Sequence, residues 1–292
     1  MNSLALGRPP ADRADLRPLV AFALVALPVG WILLSIPLVT GLPLSPFVLG
    51  TLFLGLVLPA VVLTRRGPVG SVRALFRDAV RLPRPLWLLV PAALVIPVGT
   101  ATVGGVVGVG THLSAAALGQ LALANVASSL VVVNLWEEMV WAGFVQRRAM
   151  ARWGYAGGSV VTALLFTGVH LPLAISGADS VRAVVANVAA MVVAGIGLRL
   201  LLGAFDRWGR HGIVALGLLH ATFNASAELI EPDADWIRYL VTLALGLAAL
   251  ALSGRRRRSR SRTARARTGA TGLQPTDRSF SPSGSTRTGG TR

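Results

Sequence analysis

Five residues in otherwise apolar stretches of the chain could together carry out hydrolysis: Glu137, Glu138, His170, His220 and Asn224. A carboxylate can take a proton from water, and an imidazole can orient that water or protonate a leaving amine. His220 and Asn224 lie four residues apart, on one face of a helix, and two donors on one face can stabilise an oxyanion. Glu137 and Glu138 differ by about 100° around a helix, so both cannot point fully into the same pocket.

Each of these residues also has a structural explanation when it is taken alone. A single buried His often serves packing, an adjacent Glu pair can mark the water interface, and a His with an Asn can hydrogen-bond between helices. Ionisable residues inside a membrane span are nevertheless costly, about 2.5–3.5 kcal/mol on insertion scales, and indicate function by default. The set therefore favours hydrolytic chemistry more strongly than any one member does.

A metal is a separate question. The chain has no Cys, which excludes thiolate metal sites and cysteine nucleophiles. Glu138, His170 and His220 could in principle form the two-His, one-Glu set of a zinc hydrolase. The sequence contains no HExxH pattern, however, and the same residues can serve a glutamate-activated water. We favour the metal-free site and keep one zinc ion as the alternative.

The elements that position these residues are predicted to be transmembrane helices. Of the 292 residues, 53% are hydrophobic and 14% are charged, whereas soluble domains have about 25% charged residues. The apolar runs have the length of about 18 to 25 residues that crosses a hydrocarbon core. We therefore expect an all-α polytopic membrane protein with about eight transmembrane helices. The predicted spans are 19–40, 45–63, 86–109, 117–140, 157–176, 183–203, 212–230 and 236–253.

Charges in the connections predict the orientation and the domain organisation. Every second connection is rich in Arg, whereas the last one, near Asp233, is acidic, which places both termini in the cytoplasm. We expect a cytoplasmic segment 1–18, a transmembrane domain 19–253 and a disordered tail 254–292. Of the net charge of +16, the tail holds +10, from eleven Arg and one Asp. This distribution predicts contact with anionic lipid rather than nucleic acid, in a multi-pass protein of the plasma membrane.

Three motifs give the chain a resemblance to a known family. The run from Glu137 to Phe144 resembles the first motif of the CPBP family, which includes CAAX prenyl endopeptidases and the bacteriocin-processing or immunity proteins also called Abi proteins. That motif is a Glu pair, three residues, an Arg and usually a Gly. Phe166 and His170 match the second motif, and His220 with Asn224 matches a later one. The resemblance covers about residues 85–253.

The resemblance implies a role for each residue of the site. Glu137 would activate the attacking water together with His170, and Glu138 would orient the site or the substrate. His220 and Asn224 would form the oxyanion site. The substrate would be a membrane-embedded peptide, prenylated in the CAAX-processing members. With these spans, Glu137 lies toward the cytoplasmic side, one or two helical turns from the level of His170.

One departure from the family pattern keeps alternatives open. The Arg of the first motif falls at Ala142, and Arg147 and Arg148 are too far along the helix to replace it locally. Glu138 is therefore expected to lack its cation. A catalytically degenerate member that binds a membrane peptide or partner is the first alternative. A proton-coupled transporter is the second, but it would predict matching halves, and the sequence shows no internal symmetry.

Overall fold

The described residues are almost entirely helical. The structure is a computed structural model that describes residues 15–66, 71–111 and 113–270. Apart from turns, these ranges contain helices and one isolated antiparallel bridge, between Gly110 and Ile230. The prediction of an all-α polytopic protein is confirmed.

Ten helices follow one another along the described residues, in addition to two short 3-10 helices at Ser226–Leu229 and Pro232–Ala234. Two of them, α2 and α5, include π-helical stretches, in which the backbone hydrogen bonds span five residues instead of four. The helices are α1 (Arg17–Thr40), α2 (Ser45–Arg66), α3 (Val72–Ala79), α4 (Leu86–Val107), α5 (residues 115–153), α6 (residues 155–169), α7 (Leu171–Ile175), α8 (Val181–Trp208), α9 (Ile213–Ala225) and α10 (Trp236–Ala270).

Six helical segments are long and apolar enough to cross a membrane. One of them, Ala116–Val169, has 54 residues and covers two of the predicted spans, while Ile213–Leu229 is a shorter apolar helix at the position of a further span. These elements account for the eight predicted spans, although only six segments meet the requirement on length and composition. Large apolar side chains such as Leu24 and Ile32 are 71% and 64% exposed, as expected for residues that face lipid.

The 54-residue segment is interrupted at Gly154. This residue has φ 73° and ψ −178°, a conformation that essentially only glycine adopts without strain. The chain turns there, so α5 and α6 are two helices rather than one. The predicted fourth span ended at residue 140, but α5 continues for three more turns toward this break.

Arg147 lies on this extension of α5 instead of in a loop, contrary to the prediction. Its guanidinium donates to Asp206 of α8 at 2.8 Å and to Asp78 of α3 at 3.2 Å. Nδ1 of His211 also lies 2.9 Å from Asp206. The buried carboxylate compensates the charge of Arg147, which allows the helix to continue through a basic stretch.

Helix α5 lies between the two main buried apolar clusters. Ala142 belongs to the cluster formed mainly by α4, α8 and α9, whereas Trp141 and Phe144 belong to the cluster formed mainly by α1, α2 and α5. Residues of α5 therefore face buried neighbours on opposite sides. Polar side chains on this helix are positioned by packing from both clusters.

The chain divides into two compact units, Met1–Ala251 and Leu252–Arg292. In the second unit, the helical backbone is described as far as Ala270, whereas a disordered tail was predicted from residue 254. Arg and Ala have high helix propensity, which explains a helical assignment for an Arg-rich segment. Residues 271–292 of the predicted tail and residues 1–14 of the predicted N-terminal segment lie outside the described residues.

The orientation in the membrane remains a prediction, and reporter fusions can test it. Backbone hydrogen bonds from Thr111 to Leu229 and from Glu231 to Val109 join the two connections at one end of the helices. A second set, from Val214 to Arg81 and from Arg84 to Gly209, joins two basic connections.

We expect reporters placed after Arg81 and after Arg258 to read as cytoplasmic, and reporters near Gly110 and Asp233 to read as external, because the basic connections should stay inside. The Gly110 and Asp233 fusions check each other, since the structure joins their connections. A cytoplasmic signal at Asp233 would contradict the eight-span topology.

Candidate active site

One cavity inside the helix bundle collects four of the five predicted site residues. Its volume is about 400 Å³, and Glu137, His170, His220 and Asn224 all line it. They come from α5, from the residue that follows α6, and from α9. The structure therefore brings together residues that are up to 87 positions apart in sequence, and only Glu138 lies outside the lining.

Glu137 faces both histidines across this cavity. Its Oε1 lies 3.9 Å from Nε2 of His170, and its Oε2 lies 3.7 Å from Nδ1 of His220. These distances exceed those of direct hydrogen bonds. They leave Nε2 of His170 within reach of a water held by Glu137, whereas Nδ1 of His220 lies closer to Glu138, at 2.8 Å. The expected offset of one or two turns between Glu137 and His170 is absent.

The ring of His170 has a defined orientation. Its Nδ1 lies 2.8 Å from the carbonyl oxygen of Phe166, one turn earlier, and a carbonyl can only accept, so Nδ1 carries the proton. In the neutral ring, Nε2 is then an acceptor that points toward Glu137. The Phe166 ring packs against His170 with centroids 4.6 Å apart and against His220 with centroids 5.7 Å apart. The four-residue spacing of Phe166 and His170 thus places the Phe ring between the two imidazoles.

Glu138 points away from the cavity and is fully buried, as the angular separation from Glu137 predicts. Its Oε2 accepts a hydrogen bond from Nη1 of Arg199 at 2.7 Å, and its Oε1 accepts one from Nη2 at 2.9 Å. Nδ1 of His220 lies 2.8 Å from the same Oε1. The expectation that Glu138 lacks a cation was therefore wrong, because α8 supplies one.

Arg199 is the functional candidate that the sequence analysis missed. It is fully buried, and its guanidinium lies over the Phe166 ring, 4.5 Å from the centroid. A signal was present, because Arg199 lies within the predicted span 183–203 and an ionisable residue there should be functional by default. Spacing along the helix that carries Glu138 gives no indication of a cation supplied by another helix.

Arg238 of α10 is a second buried Arg near the cavity. Its guanidinium pairs with Asp235 at 2.7 Å, and its Nη1 donates to the carbonyl oxygen of Phe223 at 2.9 Å. The last carbonyls of a helix have no partner within the helix. Arg238 therefore caps the end of α9, the turn that carries Asn224.

The donor set does not favour the zinc site that the sequence left open. Among the described residues, no group of three or more His, Asp or Glu is arranged to hold a metal ion. Both carboxylate oxygens of Glu138 accept from Arg199, and one also lies against His220. A zinc ion on Glu138 would have to compete with this guanidinium, so the three proposed ligands fit the metal poorly.

The fold and the site together define a class: a polytopic all-α membrane protein with a Glu–His cluster around a cavity between its helices. The family model described as type II CAAX prenyl endopeptidase Rce1-like matches residues 119–226. The matched segment extends from α5 to the end of α9 and includes every predicted site residue. The match confirms the resemblance to the CAAX prenyl endopeptidases that the sequence motifs indicated. No curated protein matches the chain in sequence.

Proposed function

We propose that this protein is an intramembrane endopeptidase that hydrolyses a peptide bond with a water activated by Glu137. The observation that carries the proposal is the approach of Glu137 and His170 within one cavity, with Oε1 and Nε2 3.9 Å apart. Two acceptors at this separation can each accept one hydrogen of the same water. The oxygen of that water is then left free to attack.

In the first step, the water oxygen bonds to the carbonyl carbon of the substrate, and Glu137 accepts the proton that the water releases. General-base catalysis of this kind contributes about 10²–10⁴-fold. Nε2 of His170 accepts the second hydrogen of the water and keeps its lone pair directed at the substrate. The π electrons of the carbonyl bond move onto the carbonyl oxygen, which becomes an oxyanion.

His220 and Asn224 supply the donors for this oxyanion. Asn224 can donate from its side-chain amide, and a His220 ring protonated on both nitrogens can donate from Nε2 while Nδ1 stays on Glu138. Preorganised donors stabilise the charge that develops in the transition state strongly. When the oxyanion re-forms the carbonyl, the C–N bond breaks and the proton held by Glu137 passes to the leaving amine.

The remainder of the cavity suits an apolar substrate segment. One wall is formed by apolar side chains of α1 and α2, namely Leu34, Val48, Leu52 and Leu56. This wall supports a membrane-embedded peptide as substrate, and the CAAX-type family adds the expectation of a prenylated C-terminal peptide. We further propose a location in the plasma membrane, with anionic lipid at the Arg-rich tail and no nucleic-acid partner.

The non-catalytic alternative has lost its main support. It depended on the absence of a cation beside Glu138, and Arg199 supplies a bidentate guanidinium at that position. A binding protein without hydrolytic activity would have no evident need for this buried ion pair behind His220. The geometry therefore favours the enzyme.

Proteolysis by the purified protein tests the proposal. In detergent or nanodiscs, we expect cleavage of members of a peptide library offered both with and without a prenylated cysteine. Product mass would locate the scissile bond. A chelator is expected to change the rate little, because the proposed water is activated without metal.

Loss of activity with chelator and its recovery with zinc would contradict the metal-free mechanism. Absence of cleavage across the prenylated and unprenylated panels would instead favour the binding protein. A mock purification from cells that lack the protein serves as the background control.

A further inference from the structure

The Glu138–Arg199 pair occupies a position of its own behind the cavity. Arg199 and Glu138 are both fully buried, and the two hydrogen bonds between them are 2.7 and 2.9 Å long. Charge-assisted bidentate bonds of this type fix the carboxylate plane as well as its position. The fixed Oε1 is the atom that Nδ1 of His220 contacts at 2.8 Å. Arg199 thereby reaches His220 through a single carboxylate.

Ala142 explains why the guanidinium can come from another helix. It lies four residues after Glu138, on the same side of α5, and its methyl group is 2% exposed. Ala142 belongs to the same buried cluster as Leu198 and Leu202 of α8, which lie one residue before and three residues after Arg199. A methyl group at position 142 leaves the space beside Glu138 to the side chain of Arg199.

The register of α8 against α5 is fixed by a second contact. Nε2 of Gln146, on α5, donates to the backbone carbonyl oxygen of Arg199 at 2.7 Å. A Cβ atom at Gly203 would lie 2.6 Å from that same Nε2, so only glycine permits this approach without displacing Gln146. The contact holds the backbone of Arg199 at the level of Glu138.

From these contacts we infer that Arg199 of α8 is the site's positioning cation, in place of the Arg that the family pattern has at position 142 of α5. It is a positioning residue and touches no reacting atom. It compensates the charge of Glu138, keeps Oε1 directed at Nδ1 of His220, and thereby leaves Nε2 of His220 directed at the substrate. Its effect on turnover rests on the proposed function, whereas its effect on His220 does not.

Removing Arg199 from α8 and placing an Arg at position 142 of α5 tests the inference. The variants are Arg199→Ala, Ala142→Arg, and the double variant Arg199→Ala with Ala142→Arg. Arg182→Ala, an exposed Arg at the start of the same helix, is the matched control. Nitrogen-15 NMR of the histidines in nanodiscs reports the protonation and hydrogen bonding of His220, whose signals are assigned by their loss in His220→Gln.

We expect Nδ1 of His220 to appear as a hydrogen-bonded donor in the wild type and in Arg182→Ala. This signature should be lost in Arg199→Ala and should return in the double variant. Turnover should follow the same order, with a loss of about 10–100-fold in Arg199→Ala at little change in KM, as for groups that orient a catalytic residue. Ala142→Arg alone places two cations beside one carboxylate and should lower the thermal unfolding temperature.

Two results would overturn the inference: wild-type His220 signals in folded Arg199→Ala protein, or no recovery in a folded double variant. If Arg199→Ala does not fold, Glu138→Gln combined with Arg199→Gln removes both charges together. His220 signals equal to those of the wild type in this Glu138→Gln, Arg199→Gln variant would also overturn the positioning role of Arg199. Absence of peptide cleavage by every form would refute the proposed function, while the NMR comparison would still decide the role of Arg199.

Discussion

Glu137→Gln is expected to lower turnover by about 10²-fold or more, because the amide keeps the shape of the side chain but cannot accept a proton from water. Oε1 of Glu137 lies 3.9 Å from Nε2 of His170, so one water can contact both in the proposed mechanism. His170→Ala should therefore be similarly damaging. Steady-state cleavage of a library-derived peptide, with kcat and KM measured separately, gives the effect on each step.

The exposed Glu228→Gln is the matched control, since it makes the same chemical change outside the cavity. Its turnover, membrane abundance and thermal unfolding temperature should equal those of the wild type. For Glu137→Gln, abundance and unfolding temperature should also stay near the wild-type values. A Glu137→Gln protein that cleaves at the wild-type rate would contradict the proposed base.

The helical faces that carry the site residues could be predicted from the sequence by local rules, whereas the convergence of these faces on one cavity was implied by the resemblance to the CPBP family. Helical spacing places His220 and Asn224 on one face, and it separates Glu137 from Glu138 so that only the former lines the cavity. The length of the apolar runs in the sequence determines which spans carry these residues. The structure joins the faces of three helices that each carried a polar residue at membrane depth.

The source of the cation could not be predicted by the same local rules. Glu138 and Arg199 are 61 residues apart, and no spacing within one helix indicates their pairing. Their meeting depends on the depth of α8 against α5, which Gly203 and Gln146 set by close contact. The sequence did contain an indication of function, because Arg199 lies inside an apolar span. Its pairing with Glu138 is evident only from the packing of the helices.

Span boundaries were the other source of error, and they explain the apparent offset of Glu137 from His170. The prediction ended the fourth span at residue 140, before the basic stretch that contains Arg147 and Arg148. In the structure, Arg147 is compensated by Asp206, and the helix continues to the break at Gly154. Glu137 is then nearer the middle of α5, at the level of His170. Because Asp206 of another helix compensates the charge of Arg147, the helix extends beyond the point at which its basic residues alone would predict that it ends.

Asn224→Ala is the second change from which we expect a large effect, a loss of about 10²–10³-fold in kcat, as measured for the removal of one oxyanion donor in other hydrolases. Asn224 lines the cavity with Glu137 and His220, and its side chain makes no hydrogen bond within the described part of the chain, so its amide is free to donate to substrate. The loss should fall mainly on kcat, since the oxyanion exists only after attack. Asn224→Asp keeps the shape but replaces the donor by a charge, and it should be at least as damaging.

The matched control for Asn224 is Asn187→Ala on α8, whose amide donates to the carbonyl oxygen of Ala174 at 3.1 Å, outside the cavity lining. This variant should retain wild-type kcat, because it removes an amide that contacts only the backbone.

Thermal unfolding of the Asn224 variants separates catalysis from stability. Their unfolding temperatures should stay near that of the wild type, since Arg238 caps the end of α9 through backbone carbonyls that the substitution leaves in place. An Asn224→Ala protein with a raised KM and an unchanged kcat would place Asn224 in substrate binding instead of oxyanion stabilisation.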